Sequence, residues 1–221
     1  MSGAPGRSMS VLRITLVLGA LEAFGPLSMD LYMPQLPALA RSLGTSDALA
    51  QATMSACMIG LGVGQLIAGP LSDRFGRKRP MLVGVVLFTI LSALCAFAPT
   101  IEFLLLVRFL QGLAGSAGVV LSLAIARDLF HGVELSRMLS LLALVSAAAP
   151  IAAPVIGGQL ARFMDWRGIF LVLAGIGTIL VAVAQFGLRE TLVHGRHEGS
   201  PVRSMAAHTG AVLRDPLFVA I

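Results

Sequence analysis

The chain has 221 residues, 57% of them hydrophobic and 12% charged, with a mean hydropathy of +0.89. Soluble domains carry about 25% charged residues, and a chain of this size buries only about 70% of its surface on folding, which excludes water as the solvent for so much apolar surface. The net charge of +5 is spread over short gaps between apolar runs, which excludes the contiguous basic face that a nucleic-acid partner requires.

The first apolar run covers residues 12–36, after Arg7 and Arg13. It is too long for a signal peptide and has no small-residue cleavage site, so it reads as a retained membrane span. A helix crosses a bilayer with about 20 apolar residues. Runs at 49–71, 81–98, 102–126, 138–161 and 168–188 meet that need, and the breaks between them are polar or turn-forming. Outer-membrane strands would show alternating segments of about ten residues, whereas these runs are continuous. The fold class expected is therefore an all-α integral membrane protein of six spans, with the lipid bilayer as its first partner.

The organisation expected is a short N-terminal segment (1–11), a six-helix domain (12–188), a polar connector (189–215) and a final apolar stretch (216–221). That last stretch reads as a seventh span cut off at its start, and the chain as a fragment; the alternative is a tail lying on the membrane. Arg7, Arg13, Arg74, Arg77, Lys78, Arg79, Arg127, Arg137, Arg189, Arg196, Arg203 and Arg214 fall on the side of the N-terminus, against Arg41, Arg162 and Arg167 on the other. The positive-inside rule then puts both termini in the cytoplasm.

Three ionisable residues lie inside spans: Glu22, Asp30 and Arg108. Each costs about 3 kcal/mol or more there, which makes it a functional candidate. At 1.5 Å per residue, Glu22 stands roughly 15 Å and Asp30 roughly 27 Å into span 1, about 80° apart around the helix, while Arg108 lies roughly 9 Å below the outer surface. Both acids can face one cavity, and Asp30 and Arg108 share a depth at which they could pair. A carboxylate in a poorly solvated cavity binds a proton, and an approaching cation favours its release. That exchange would couple protons to a substrate. The structural alternatives are a helix-end cap for Asp30, a hydrogen bond to a neighbouring helix for Glu22, and a clamp on backbone carbonyls for Arg108.

The densest charge cluster runs from Gly69 to Pro80, expected as a loop between spans 2 and 3. Topology alone would require only its basic residues. Gly69 would permit close helix approach and Gly76 a tight turn. Asp73 would accept bonds from a neighbouring helix N-terminus or from Arg77, making a latch present in one state of the protein and broken in another.

Gly69, Asp73, Arg74, Gly76, Arg77 and Lys78 together resemble the signature loop of the major facilitator superfamily, a resemblance that implies a role in stabilising the outward-facing state. The run from Arg108 through Gln111 and Gly112 to Gly115 is similar to that family's span 4 motif, in which the arginine is implicated in proton coupling. Pro150, Pro154, Gly157 and Gly158 resemble the span 5 antiporter motif, with Ala149 and Ala153 standing where glycines are usual. Met29–Pro37 and Trp166–Phe170 are similar to the Bcr/CflA group of drug:proton antiporters. The resemblance implies the N-terminal half of a secondary transporter, built from two inverted three-helix repeats. It further implies a bacterial inner-membrane location, the proton as coupling ion with no other cofactor, a lipophilic small molecule as substrate, and a second six-helix half as partner.

Little else competes. Cys57 and Cys95 sit inside apolar runs and read as small filler. His194 and His197, three apart in the connector, read as solvated rather than as metal ligands, so no metal site is expected. No Walker phosphate loop is present, so ATP is not the expected energy source. The readings from other classes are a membrane enzyme using Glu22, Asp30 or Asp73, and a non-transporting half-length protein.

Overall fold

The computed structural model of the chain describes residues 5–188 together with Glu190 and Thr191, and side chains from Ile14 onward. All regular elements among them are helical: α1 (Pro5–Asp30), a 3₁₀ turn (Met33–Gln35), α2 (Leu36–Ser42), α3 (Asp47–Phe75), α4 (Lys78–Ala96), α5 (Ile101–Leu129), α6 (Gly132–Leu160) and α7 (Trp166–Gly187). Six helical segments are long and apolar enough to cross a membrane, α1 and α2 counting together as the first. The expected connector and final stretch, apart from Glu190 and Thr191, lie outside the described residues.

Helix bounds differ from the expected runs in two physically instructive ways. The first span was expected unbroken over 12–36, but α1 stops at Asp30 and the chain re-forms a helix at Leu36. Pro34 and Pro37 account for the break, since each lacks the backbone N–H that would continue the α-helical hydrogen-bond ladder. Elsewhere the helices outrun the apolar segments. Asp73 and Arg74 belong to α3, and the turn to α4 is only Gly76 and Arg77. Charges do not end a helix that has reached the headgroup region, where water hydrates the side chains while the backbone bonds continue.

The helices that begin at the end of the bundle away from the α3–α4 turn are capped by their own sequence. Ser46, Thr100 and Asp165 accept from the backbone of Leu49, Phe103 and Gly168 at 3.3, 3.3 and 3.0 Å, as N-cap residues do. Inside the bundle, hydroxyl groups are satisfied one turn back on their own helix, for example Ser28 on Gly25 O at 2.6 Å and Ser92 on Phe88 O at 2.8 Å. Neither needs water, which lets them sit in a membrane interior.

The principal packed pairs are α3 with α5, α4 with α7, α4 with α5, α1 with α6, and α1 with α5. Exchanging the first triplet (α1, α3, α4) for the second (α5, α6, α7) maps α3–α5 onto α1–α6 and α4–α7 and α1–α5 onto themselves, while α4–α5 maps onto the weaker α1–α7 contact. Each triplet has an odd number of crossings, so the two run in opposite senses and form an inverted repeat. The closest crossing, α3 on α5, is reciprocal. A Cβ on Gly60 would strike Phe109 O, and one on Gly112 would strike Cys57 O. Small residues bring backbones together where hydrophobicity supplies no driving force.

Candidate functional site

Glu22 lies within α1 with only 6% of its surface exposed. It faces α6, where Ser146 Oγ donates to Glu22 Oε1 at 2.9 Å. The second carboxylate oxygen, Oε2, is buried and has no hydrogen-bond partner among the described residues. A buried acceptor so left is open to a proton or to a ligand that donates. Asp30, the last residue of α1, is partly exposed.

The pair open to Asp30 and Arg108 by their shared depth does not form. Among the described residues it is Arg77, not Arg108, that pairs with aspartates, Asp73 and Asp128. Arg108 is fully buried, and the aromatic faces around it take the place of a carboxylate. Its guanidinium carbon lies 4.7 Å from the Tyr32 ring centre and 5.6 Å from that of Phe170, distances at which ring quadrupoles attract a cation. The break after Asp30 is what turns Tyr32 inward, where its hydroxyl shares a 2.8 Å hydrogen bond with Thr53 Oγ1 of α3.

One guanidinium nitrogen, Nη1, donates to Gln111 Oε1 at 2.5 Å. Gln111 Nε2 donates in turn to Ser92 Oγ of α4 at 2.6 Å. Arg108 Nε and Nη2 have no hydrogen-bond partner among the described residues. The carbonyl clamp weighed as the structural alternative is therefore not what holds this side chain.

Charges at the α3–α4 turn form a four-element knot. Arg77 Nη1 donates to Asp73 Oδ1 at 2.7 Å and to Ser72 Oγ at 2.6 Å, and Nε donates to Asp128 Oδ2 at the end of α5 at 3.0 Å. Glu190, just past α7, accepts from the backbone of Arg77 at 2.8 Å and of Lys78 at 3.3 Å. Glu190 thus caps α4, a role open to Asp73 in the sequence reading, while Asp73 takes the other expected partner, Arg77. Lys78 Nζ reaches Gln185 O at 2.8 Å. Arg74 stays exposed over the Phe75 ring, 5.1 Å from its centre.

The glycines of this segment divide. Gly76 has φ of 86°, the left-handed region that favours glycine, as the tight turn requires. Gly69 does not mediate a close approach, since a Cβ there would meet nothing within 4 Å. That duty falls to Gly64 and Gly60, about 1.4 and 2.5 turns deeper in α3, where the helix lies on α5.

In α6, Pro150 and Pro154 are both inside the helix. Ala149, Ala153 and Gly157 form its buried stripe, and a Cβ on Gly157 would strike Leu31 O just past α1. A Cβ on Gly158 would meet nothing within 4 Å. The alanines that replace the usual glycines therefore sit on the packed face without preventing it.

Sequence reasoning quoted Tyr32 and Gln111 only within motifs, without a role of their own, and missed Ser92, Asp128 and Glu190. The signal available for the last two was an acid beside an arginine at a helix end, in Arg127–Asp128 and Arg189–Glu190.

The family model described as Major Facilitator Superfamily matches residues 18–221. The uncharacterized MFS-type transporter YdgK of Bacillus subtilis is 43% identical over 210 residues, 94% of this chain and 52% of its own length. A bicyclomycin resistance protein homolog of Haemophilus influenzae is 36% identical over 85% of this chain and 47% of its own. The multidrug resistance protein MdtL of Klebsiella pneumoniae is 34% identical over 81% and 46%. The chain thus spans about half the length of these curated relatives. Among solved structures, the human organic anion transporter MFSD10 (TETRAN) superposes with a TM-score of 0.73 at 19% identity, covering 96% of this chain and 55% of that one, a likeness of fold.

Proposed function

This chain belongs to the major facilitator superfamily, and from that premise we propose that it forms one six-helix half of a proton-coupled exporter of drugs or similar small molecules, working by alternating access. The observation that carries the proposal is Glu22, a buried carboxylate bridging α1 and α6 through Ser146, with its second oxygen unpartnered among the described residues. A proton on that oxygen, and its exchange against an incoming cationic substrate, is the coupling step. Asp30 admits the proton from the end of α1, and Arg108 sets the local field through its aromatic cage and Gln111. The knot of Arg77, Asp73, Asp128 and Glu190 holds the bundle in one state and opens in the other. The names of the relatives, bicyclomycin resistance and multidrug resistance, support drugs as the substrate class.

The bias of Lys and Arg toward the α3–α4 turn supports a cytoplasmic position for that end, in the inner membrane of a bacterium. Family membership points to a transporter rather than an enzyme. The test is pH-driven efflux of a lipophilic cation by the full-length protein in everted vesicles. Glu22→Gln and Asp30→Asn insert at the wild-type level and lose pH-driven efflux. Normal efflux by both variants overturns the reading.

A further inference from the structure

α3 and α4 both press on α5 through glycines: a Cβ on Gly64 would strike Ser116 and Leu113 O, and one on Gly84 would strike the Ala117 side chain. They touch one another little. The result is a groove of about 260 Å³ between α3 and α4, floored by α5. Apart from Ser116 and Arg79 its lining side chains are apolar, and Ser116 Oγ is already engaged on Leu113 O at 2.7 Å. Its rims, Leu71, Val83 and Leu87, are exposed at 42, 57 and 46%, so the groove opens sideways.

Along α3 the groove runs from Gly64 to Phe75, about 16 Å at 1.5 Å per residue. That matches the hydrocarbon depth of one leaflet, half of roughly 30 Å. Arg79 lines the end nearest the α3–α4 turn, and exposed Arg74 stands beside Phe75, which also lines it. The neighbouring acids are engaged, Asp73 and Asp128 by Arg77 and Glu190 by the start of α4. Neither Arg74 nor Arg79 has an ion pair or hydrogen bond among the described residues.

We propose that this groove binds one anionic phospholipid of the leaflet at the α3–α4 turn, an acyl chain lying between α3 and α4 and the phosphate on Arg79 and Arg74. Basic pockets between spanning helices select anionic headgroups in this way. An apolar slot without a free polar group has nothing to orient a polar drug, whereas a chain hung from its headgroup needs only length and charge. The proposal does not depend on the transport reading.

The test uses the full-length protein in detergent with phosphatidylglycerol carrying a diazirine on its acyl chain. Adducts concentrate on α3 and α4 residues lining the groove, and Val83→Trp, which fills it, removes them. In native mass spectrometry Arg79→Gln weakens phosphatidylglycerol binding about fivefold, the worth of one basic residue at an anionic surface, and leaves phosphatidylcholine unchanged. Adducts spread evenly over all lipid-facing helices overturn the proposal. So does an Arg79→Gln variant with wild-type preference for the anionic lipid, or displacement of the lipid by a transported drug.

Discussion

Arg108 is a cation with none of its surface exposed and with no carboxylate beside it among the described residues. Two aromatic faces, worth about 2 kcal/mol when desolvated, and the bond to Gln111 offset only part of the cost of burying a charge. Removing such a charge and filling its space with an apolar side chain is often neutral or stabilising. Arg108→Met is therefore expected to insert normally and keep or raise the melting temperature, while efflux is lost. The checks are thermal denaturation of the purified protein and vesicle transport. A fall of about 8 °C or more, the scale of 2 kcal/mol or more in a chain of this size, would make Arg108 a structural post instead. Glu22 and Arg108 were legible in the sequence because an ionisable group inside an apolar run has no cheap explanation. Tyr32, Ser92 and Gln111 were not, because hydroxyls and amides occur in ordinary spans and their partners here lie on other helices.

Two glycines of one signature segment answer differently at the scale of the element. Gly76→Ala must hold a side chain at φ of 86° and ψ of 169°, a region that glycine alone adopts freely, and would strike the Glu190 carboxylate, so it is expected to cost about 1–3 kcal/mol. Gly69→Ala meets nothing within 4 Å and gains up to about 1 kcal/mol of helix propensity, so it should be neutral or stabilising. Melting temperatures of the two variants against wild type check both; equal losses would mean that Gly69 is packed against something beyond the described residues. In the knot itself, a double-mutant cycle of Arg77→Ala with Asp128→Ala should return a coupling of about 1 kcal/mol or less, because both partners keep some exposure to solvent. The segment's chemistry was readable from composition, but its geometry was not. Polar residues suggested a loop through Pro80, whereas the helices continue to a two-residue turn. Glu190 and Asp128 are 113 and 51 residues from Arg77, a separation that no local pattern encodes.

For the molecule as a whole, the number of spans followed from hydropathy alone, because a bilayer permits few other uses for such runs. Which faces meet lipid and which meet protein did not follow, since lipid and a protein partner both call for apolar side chains. The symmetry of the packing separates them. α3 and α6 are mates under the exchange of triplets, and both carry proline within the helix, Pro70 in one and Pro150 and Pro154 in the other. Helices loosened by proline suit a moving interface, which α3 would meet on the side turned away from α4. On α6 the exposed Ile151 (76%) is therefore expected on a face turned toward the proposed second half, and on α7 the exposed Ile179 (64%) on a face turned toward lipid. The native Cys57 and Cys95 are buried at 2 and 0% exposure and should give little background labelling. In the full-length protein, Ile151→Cys is expected to react with a membrane-impermeant maleimide at a rate that changes with substrate and pH. Ile179→Cys should resist that reagent under all conditions, while a spin label attached there is broadened by lipid-soluble oxygen. If both cysteines resist the maleimide alike, α6 faces lipid, and the water-filled path between halves must run along another helix, with Glu22 reached from α1 alone.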